Sequence, residues 1–238
     1  MTRGLRIATA VFAVLLVASC GGTAPGASAP PSSPPALLPH ANDLATAITN
    51  TFARGSAALV ITIDSSDTTA DGSGTAAFRD PLAEVAWRVN GAAAREIADD
   101  DGRYAQADAP DGPWRKVTEF TPTMGSEHPL DDLGSLTEVR SDGEEAIASK
   151  PTSRFVGTLP AAGHVAGLGL TRTSQAAVAA DPDAQLTVTI WVGDDGLIKR
   201  VQRDLVTSTG IRSRVQADLT ALGVDVPVKA PTDYQTAM

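Results

Sequence analysis

The sequence predicts an α+β fold in which a curved antiparallel β-sheet carries a few helices on its concave face. Three observations predict it. One segment near residue 41 repeats its apolar residues at helical spacing, the later segments mostly alternate apolar and polar residues, and Asp-Gly turns separate several of these segments. A chain made mainly of such strands, with few helices, packs its helices onto one side of the sheet.

The predicted helix covers "ANDLATAITNTFARG", residues 41–55. Its apolar side chains share one face: Leu44, Ala47, Ile48 and Phe52. Asn42 or Asp43 suits the N-cap and Gly55 the stop.

Strands follow in "SAALVITIDS", "GSGTAAFRD", "LAEVAWRVN", "AAAREIADDDGRYAQAD" and "GPWRKV", the fourth of which contains two strands around a turn. Alternation places two sets of side chains on one face each: Ala57, Leu59, Ile61 and Ile63 in the first strand, and Ala83, Val85, Trp87 and Val89 in the third. Such alternation indicates one dry and one solvated face.

The middle of the chain is less regular. "PLDDLGSLTEV" predicts a short helix opened by Pro129, "TSRFVGTLP" a strand, and "AAGHVAGLGL" a short helix or lid. A long hairpin follows in "AQLTVTIWVGDDGLIKRVQRDLV", and "IRSRVQADLTAL" predicts a last strand with Val215, Ala217 and Leu219 inward. We expect the tail "TDYQTAM" to be frayed.

The single cysteine, Cys20, follows an apolar segment near the N-terminus. Arg3 and Arg6 precede an apolar run at residues 7–17, as in a secretory signal. The run is shorter than the roughly 20 residues of a membrane-spanning helix, so we expect it to be removed. The residues "VASC" resemble the lipobox of bacterial lipoproteins, in which the cysteine receives a diacylglyceryl group. We predict a signal peptide at residues 1–19 and a lipid anchor on Cys20; the alternative is an ordinary secreted protein with an incidental cysteine.

Residues 20–40 predict a tether between this anchor and the folded part. Six prolines lie between residues 21 and 39, mostly among Gly, Ser and Ala, a composition that buries too little apolar surface to fold. Residues 41–238 are long enough for a single domain. Without residues 1–19, 17 basic side chains stand against 28 acidic ones, a formal charge of −11, which argues against nucleic acid and against electrostatic docking on anionic lipid.

Catalytic motifs are missing from the sequence, which contains no GxSxG and no HExxH. We assign surface or packing roles to the three histidines, His40, His128 and His164. "DDDG" and "GDDG" do not continue into the calcium-loop pattern that ends in Glu, and hairpin turns explain them. We predict no enzyme activity, no metal and no cofactor.

Several stretches together resemble a known family. They are the helix and strand after the lipobox, "FVGTLPA", "TIWVGDDGLIKRVQ" and "VQADLTALGVDVPVKAP". In this order, over about residues 43–231, they resemble the LppX/LprA/LprF/LprG family of actinobacterial lipoproteins. The resemblance implies a fold similar to the periplasmic carrier LolA, a half-barrel of antiparallel strands whose concave face, closed by helices, forms a hydrophobic cavity for acyl chains. It also implies binding and movement of lipids or lipoglycans across the cell envelope.

We therefore predict a cavity for a lipid or glycolipid. The side chains assigned to its lining are Leu59, Ile61, Val85, Trp87, Val156, Val165, Leu168, Leu170, Val188, Ile190, Val215 and Leu219. An error of one residue in parity would move a strand's whole contribution to the other face. The alternative is that the same residues only pack the helices onto the sheet.

Two functions from different classes fit these patterns. The first is a lipid carrier outside the cytoplasm, anchored to the outer leaflet of the plasma membrane, with an envelope transporter or another envelope protein as a further partner. The second is a non-catalytic protein-interaction or sensor module on the same scaffold, without bound lipid.

Overall fold

The computed structural model describes residues 41–107, 112–117, 123 and 125–236. Cys20, the predicted signal peptide, the tether at residues 20–40 and His40 lie outside the described residues. Two α-helices lie within them, α1 (Ala41–Phe52) and α2 (Arg172–Ala179). The strands of the described part are β1 (Ser56–Ser65), β2 (Thr69–Ala77), β3 (Ala83–Val89), β4 (Ala92–Asp99), β5 (Gly102–Ala107), β6 (Trp114–Lys116), β7 (Thr137–Ile147), β8 (Lys150–Pro160), β9 (Gln185–Gly193), β10 (Ile198–Val206), β11 (Arg212–Leu222) and β12 (Tyr234–Thr236).

All twelve of these strands form one open sheet in the order β12-β6-β5-β4-β3-β2-β1-β11-β10-β9-β8-β7. Neighbouring strands are antiparallel except β12, which pairs with β6 in parallel. The pairing of β1 with β11 joins the two sequence halves in the middle of the sheet. The predicted α+β class with a large curved antiparallel sheet is confirmed.

One face of the sheet carries the apolar core, and we call it the covered face. The register defines it: Ile61 of β1 pairs with Ala217 of β11, which pairs with Val201 of β10, which pairs with Ile190 of β9, and all four side chains are buried. Side chains alternate between the faces along each strand. Residues of the opposite parity therefore lie on what we call the outer face.

Helix α1 packs on the covered face through Leu44 and Ala47, both buried in the core. Thr51, buried near its end, accepts a hydrogen bond at Oγ1 from the main-chain N–H of Ile198 over 3.0 Å, which joins α1 to the start of β10. The helix begins at Ala41, so the predicted N-caps Asn42 and Asp43 are wrong: both residues lie inside the first turn.

The middle of the chain departs from the prediction. The helix expected at residues 129–139 is a 3-10 turn at Leu133–Ser135, followed directly by β7. The segment "AAGHVAGLGL" contains only a 3-10 turn, Ala161–Gly163, because turns and glycines at positive φ follow it. Helix α2, which no pattern predicted, begins after Thr171, whose side chain accepts from the N–H of Ser174.

The C-terminal tail is not frayed over Tyr234–Thr236, since these residues form β12 against β6. Neither described helix is long and apolar enough to cross a membrane.

Candidate functional site

All of the predicted lining residues except Val156 lie in or against the apolar core of the covered face. Ten belong to one hydrophobic core cluster: Leu59, Ile61, Val85, Trp87, Leu168, Leu170, Val188, Ile190, Val215 and Leu219. Val165 is partly buried and packs against this cluster. Val156 lies on the outer face, because it pairs with Thr189 whereas Phe155 pairs with Ile190 of the covered face. The parity assigned to Val156 was therefore wrong by one residue.

Large side chains fill the covered face of β8 to β11. They include Phe155, Leu159, Leu186, Val188, Ile190, Leu205, Val215 and Leu219, all of them buried. Bulky aliphatic and aromatic side chains interdigitate with the side chains of the elements packed over them, as in a protein interior. This half of the sheet forms a packed core.

Small side chains occupy the covered face of β2 and most of that of β4, on either side of β3; the exception on β4 is Glu96. We call this set the small-residue floor: Ala70, Gly72, Gly74 and Ala76 of β2, with Ala94 and Ala98 of β4. Val85 and Trp87 of β3 stand between the two strands. The two halves of the covered face therefore differ in how far their side chains extend above the sheet.

Two loop segments lie over the covered face, and we call them the cover: residues 125–136 and 161–171. Leu130 and Leu133 of the first segment and Leu168 and Leu170 of the second are buried in the core cluster. The second segment is tied to the sheet by Ser65, whose Oγ donates to the carbonyl of Gly169 over 2.7 Å. Over these described residues the cover has no strand pairing with the sheet, so it is attached through these buried leucines and through side-chain hydrogen bonds.

A buried arginine makes the central attachment. Arg203 of β10 lies on the covered face, paired with Val188 on one side and Val215 on the other, and it is 7% exposed. Its Nη2 donates to the carbonyl of Asp131 at 2.8 Å and, over 3.4 Å, to that of Pro129. Both carbonyls belong to the first cover segment. Arg203 therefore connects the middle of the apolar face to the cover.

Further charged groups hold the edges of the cover. Glu127, only 3% exposed, forms an ion pair with Arg103 of β5 and accepts at Oε2 from the N–H of Gly125 over 2.8 Å. His164 Nδ1 and Asp132 Oδ2 are 2.8 Å apart, which links the two cover segments to each other. These contacts place one buried carboxylate and one buried guanidinium beside an otherwise apolar face.

Burial shapes the charge state of this region. It lowers the pKa of Arg203, because a guanidinium removed from water loses solvation, although the carboxylates of Asp132 and Asp131 oppose the shift. Burial also raises the pKa of Asp131, while His128 and Arg203 act in the opposite direction. Arg203 thus carries a poorly solvated charge, whereas the side chains of Asp131 and Asp132 are exposed.

Trp87 has a polar atom without a partner. The side chain is 4% exposed, and no described residue accepts a hydrogen bond from its Nε1. A Cβ on Gly72 would overlap the Cε3 and Cζ3 atoms of the ring, so the six-membered edge of the indole lies on β2. The edge that carries Nε1 is consequently turned away from Gly72.

Among the clefts on the described residues are three with volumes of about 580, 260 and 200 Å³. Leu219 is the one predicted lining residue that borders any of these three clefts, and it borders the largest. No group of three or more His, Cys, Asp or Glu within the described ranges could hold a metal ion.

Sequence reasoning missed Arg203 and Glu127 as parts of the site. The signal for Arg203 was available, because it has the parity of Val201 and Leu205, both buried on the same strand. Glu127 gave none, since it lies in a segment without periodicity.

An open antiparallel sheet with one apolar face under loops and a helix defines a class of fold that solved structures share. The lipoprotein LppX from Mycobacterium tuberculosis matches with a TM-score of 0.52 and 16% sequence identity, over 78% of this chain and 96% of LppX. LprF from Mycobacterium bovis matches with a TM-score of 0.51 and 16% identity, over 80% of this chain and 96% of LprF.

The sequence matches no family model, and no curated protein is significantly similar to it. At 16% identity the two structural matches establish the fold alone. The LppX-like fold that the sequence resemblance implies is thereby confirmed.

Proposed function

We propose that this protein is an envelope lipoprotein that binds the acyl chains of a lipid or glycolipid on the covered face and carries or presents that lipid. The observation that carries the proposal is the apolar covered face, which in the described residues lies under loops and a helix rather than a second sheet. Loops held by side-chain contacts separate from a sheet more readily than strands paired along their main chains do. Each methylene buried in their place contributes about 0.8 kcal/mol.

The proposed anchor is a lipid on Cys20, which places the domain outside the cytoplasm at the outer leaflet of the cell membrane. Lipidation by two or more chains gives lasting attachment, and residues 20–40 provide the tether. We expect Cys20→Ala to leave the membrane fraction or to stall before cleavage. A Cys20→Ala chain that is still cleaved and still sediments with membranes would contradict the anchor.

Native mass spectrometry tests the binding. The full chain carrying Cys20→Ala is purified from its native envelope, so that no covalent anchor adds to the mass. We expect a stoichiometric amphiphile, or uptake of one when lipid vesicles are offered. Neither a bound lipid nor any uptake would eliminate the carrier function.

A second candidate is supported by the packing of β8 to β11, where the predicted lining residues contact one another as a core. On this view the domain contacts an envelope protein and holds no lipid. The same measurement separates the two, since an interaction module remains empty in the presence of lipid.

A further inference from the structure

The two halves of the covered face carry side chains of different size, and this difference points to the position of a ligand site. Above β8 to β11 most side chains are Phe, Leu, Ile and Val, although Arg203 and Ala217 also lie there. Above β2 and β4 the small-residue floor consists of Gly and Ala, and Glu96 of β4 interrupts it. Gly and Ala extend little above a sheet. An apolar chain that lies along the sheet therefore meets fewer obstacles above the floor than above the packed half.

Trp87 of β3 stands between the two strands that carry this floor, and its N–H group has no acceptor within the described part of the chain. Its sheet neighbours on the covered face are Gly72 on β2 and Ala94 on β4. The indole is 96% removed from solvent, yet no described group accepts its N–H. A buried donor without an acceptor is costly, and most such donors in folded proteins have a partner.

The residues around Trp87 determine which kind of hydrogen-bond acceptor suits its Nε1. Glu96 lies on the covered face of β4, diagonally across from Trp87, and accepts a hydrogen bond from Thr123 over 2.8 Å. A carboxylate at this position disfavours a second anion nearby, so an uncharged oxygen suits the site better than a phosphate or a free fatty acid.

We propose that the carbonyl oxygen of an ester- or amide-linked acyl chain accepts the hydrogen bond from Trp87 Nε1, with the chain lying over the small-residue floor. This inference rests on the proposed lipid-binding function and adds to it the position of the acyl group and the polar group that the protein reads. A ligand of this class is an acylated lipid with an uncharged linkage at the chain's head.

The first test compares two lipids that differ only in the linkage. A long-chain diacylglycerol has ester carbonyls, whereas the dialkylglycerol of the same chain length has ether oxygens. Dissociation constants are measured by displacement of a fluorescent acyl probe from the full chain carrying Cys20→Ala. We expect the ester lipid to bind about fivefold more tightly, which corresponds to one hydrogen bond. In Trp87→Phe the two lipids should bind with equal affinity. Because the comparison uses the ratio of their two dissociation constants, a change in packing that affects both lipids alike cancels.

The second test fills the floor. Ala94→Leu replaces a methyl group by an isobutyl group on the covered face beside Trp87, and we expect it to weaken binding of both lipids at least tenfold. Ala93→Leu is the matched control, because Ala93 is the preceding residue of β4 and is exposed on the outer face. This variant should bind as the parent does.

The outcomes distinguish the inference from the function on which it rests. If the parent chain binds neither lipid, the lipid-binding function fails and the inference fails with it. If it binds both with equal affinity, or if the preference persists in Trp87→Phe, lipid binding stands and the role of Trp87 is overturned. Unaltered binding by Ala94→Leu would overturn the position of the chain even if Trp87→Phe does not fold.

To separate an ester from an amide source, the same displacement is carried out with a ceramide. Both contain the carbonyl, so we expect the ceramide to share the preference over the ether lipid. A ceramide that binds no better than the ether lipid would overturn the assignment of a carbonyl shared by both linkages.

Discussion

Arg203 Nη2 donates to the main-chain carbonyl of Asp131 over 2.8 Å, and this bond joins the middle of the covered face to the cover. A guanidinium forms its strongest bonds with carboxylates. Here the partners are the main-chain carbonyls of Pro129 and Asp131, and burial costs the charge its solvation. The bond therefore holds the cover in place without the strength of a buried bidentate ion pair.

Replacing Arg203 with Met tests this attachment. Met keeps an unbranched apolar stem on the sheet but removes the donor, which leaves the carbonyls of Pro129 and Asp131 without their partner. We expect amide hydrogen exchange in residues 125–136 to become about tenfold faster, as expected for losing about 1.4 kcal/mol of local stability.

Arg214→Met is the control for this exchange experiment, because Arg214 pairs with Asp204 on the outer face and its side chain is 65% exposed. Exchange of the cover should not change in that variant. Equal exchange rates in Arg203→Met and the parent chain would contradict an anchoring role for Arg203.

Gly72→Ala tests the close approach of β2 and Trp87. The added Cβ would overlap the indole ring, so Trp87 must move or the strand must shift. We expect the free energy of unfolding to fall by about 1–3 kcal/mol in urea denaturation. Gly74→Ala should cost more, since its Cβ meets the main chain of Glu84, which cannot rotate away.

The matched control is Gly134→Ala, whose Cβ would have no neighbour within 4 Å. Its unfolding free energy should stay the same or rise slightly, because Ala restricts the unfolded chain. Were Gly72→Ala as stable as Gly134→Ala, the ring would not lie on Gly72.

Much of the fold could be predicted because most strands alternate cleanly. Val215 has polar neighbours on both sides in the sequence, and it lies on the covered face as expected. Strand β7 escaped prediction because it is an edge strand with polar residues on both faces, as edges that avoid aggregation require.

The site was less predictable, for two physical reasons. Phe155 and Val156 are adjacent, apolar and both buried, so periodicity alone does not reveal which one faces the core. Arg203 was missed because a charged residue in a strand is expected to face solvent, and only its cover-forming partners, far away in sequence, make its burial tolerable. Both failures arise from tertiary contacts that a local pattern does not contain.

Tyr234→Ala tests whether β12 contributes to the fold. The rings of Tyr234 and Tyr104 meet edge to face with centroids 5.1 Å apart, and Lys116 Nζ lies 6.0 Å from the centre of the Tyr234 ring. We expect a loss of about 1 kcal/mol in unfolding free energy and faster amide exchange in β6. Tyr234→Phe keeps the ring and should lose little; equal stability of the Ala variant and the parent would mean that β12 is not held through this ring.

The hydrogen bond between Trp191 and Glu145 predicts that titration of the Glu145 carboxyl can be followed at the indole N–H proton of Trp191. Trp191 Nε1 donates to Glu145 Oε2 over 3.0 Å, and this bond, helped by Arg154, lowers the pKa of Glu145 below its ordinary value of 4.5. The bond stabilises the folded state fully above pH 4.5, and the stabilisation is lost as pH falls through the lower folded pKa. Because the Glu145 side chain is 43% exposed, solvent screening limits the effect to a few tenths of a kcal/mol.

We therefore expect the indole N–H resonance of Trp191, assigned by its loss in Trp191→Phe, to shift with a midpoint below pH 4.5. Glu145→Gln should abolish this titration, whereas Glu144→Gln, one residue away on β7, should preserve it. The unfolding free energies of the parent and Glu145→Gln should converge as pH falls through the midpoint, because the protonated carboxyl no longer offers the charge that the indole N–H and Arg154 stabilise. A midpoint at or above 4.5 would show that the bond does not favour the ionised carboxylate.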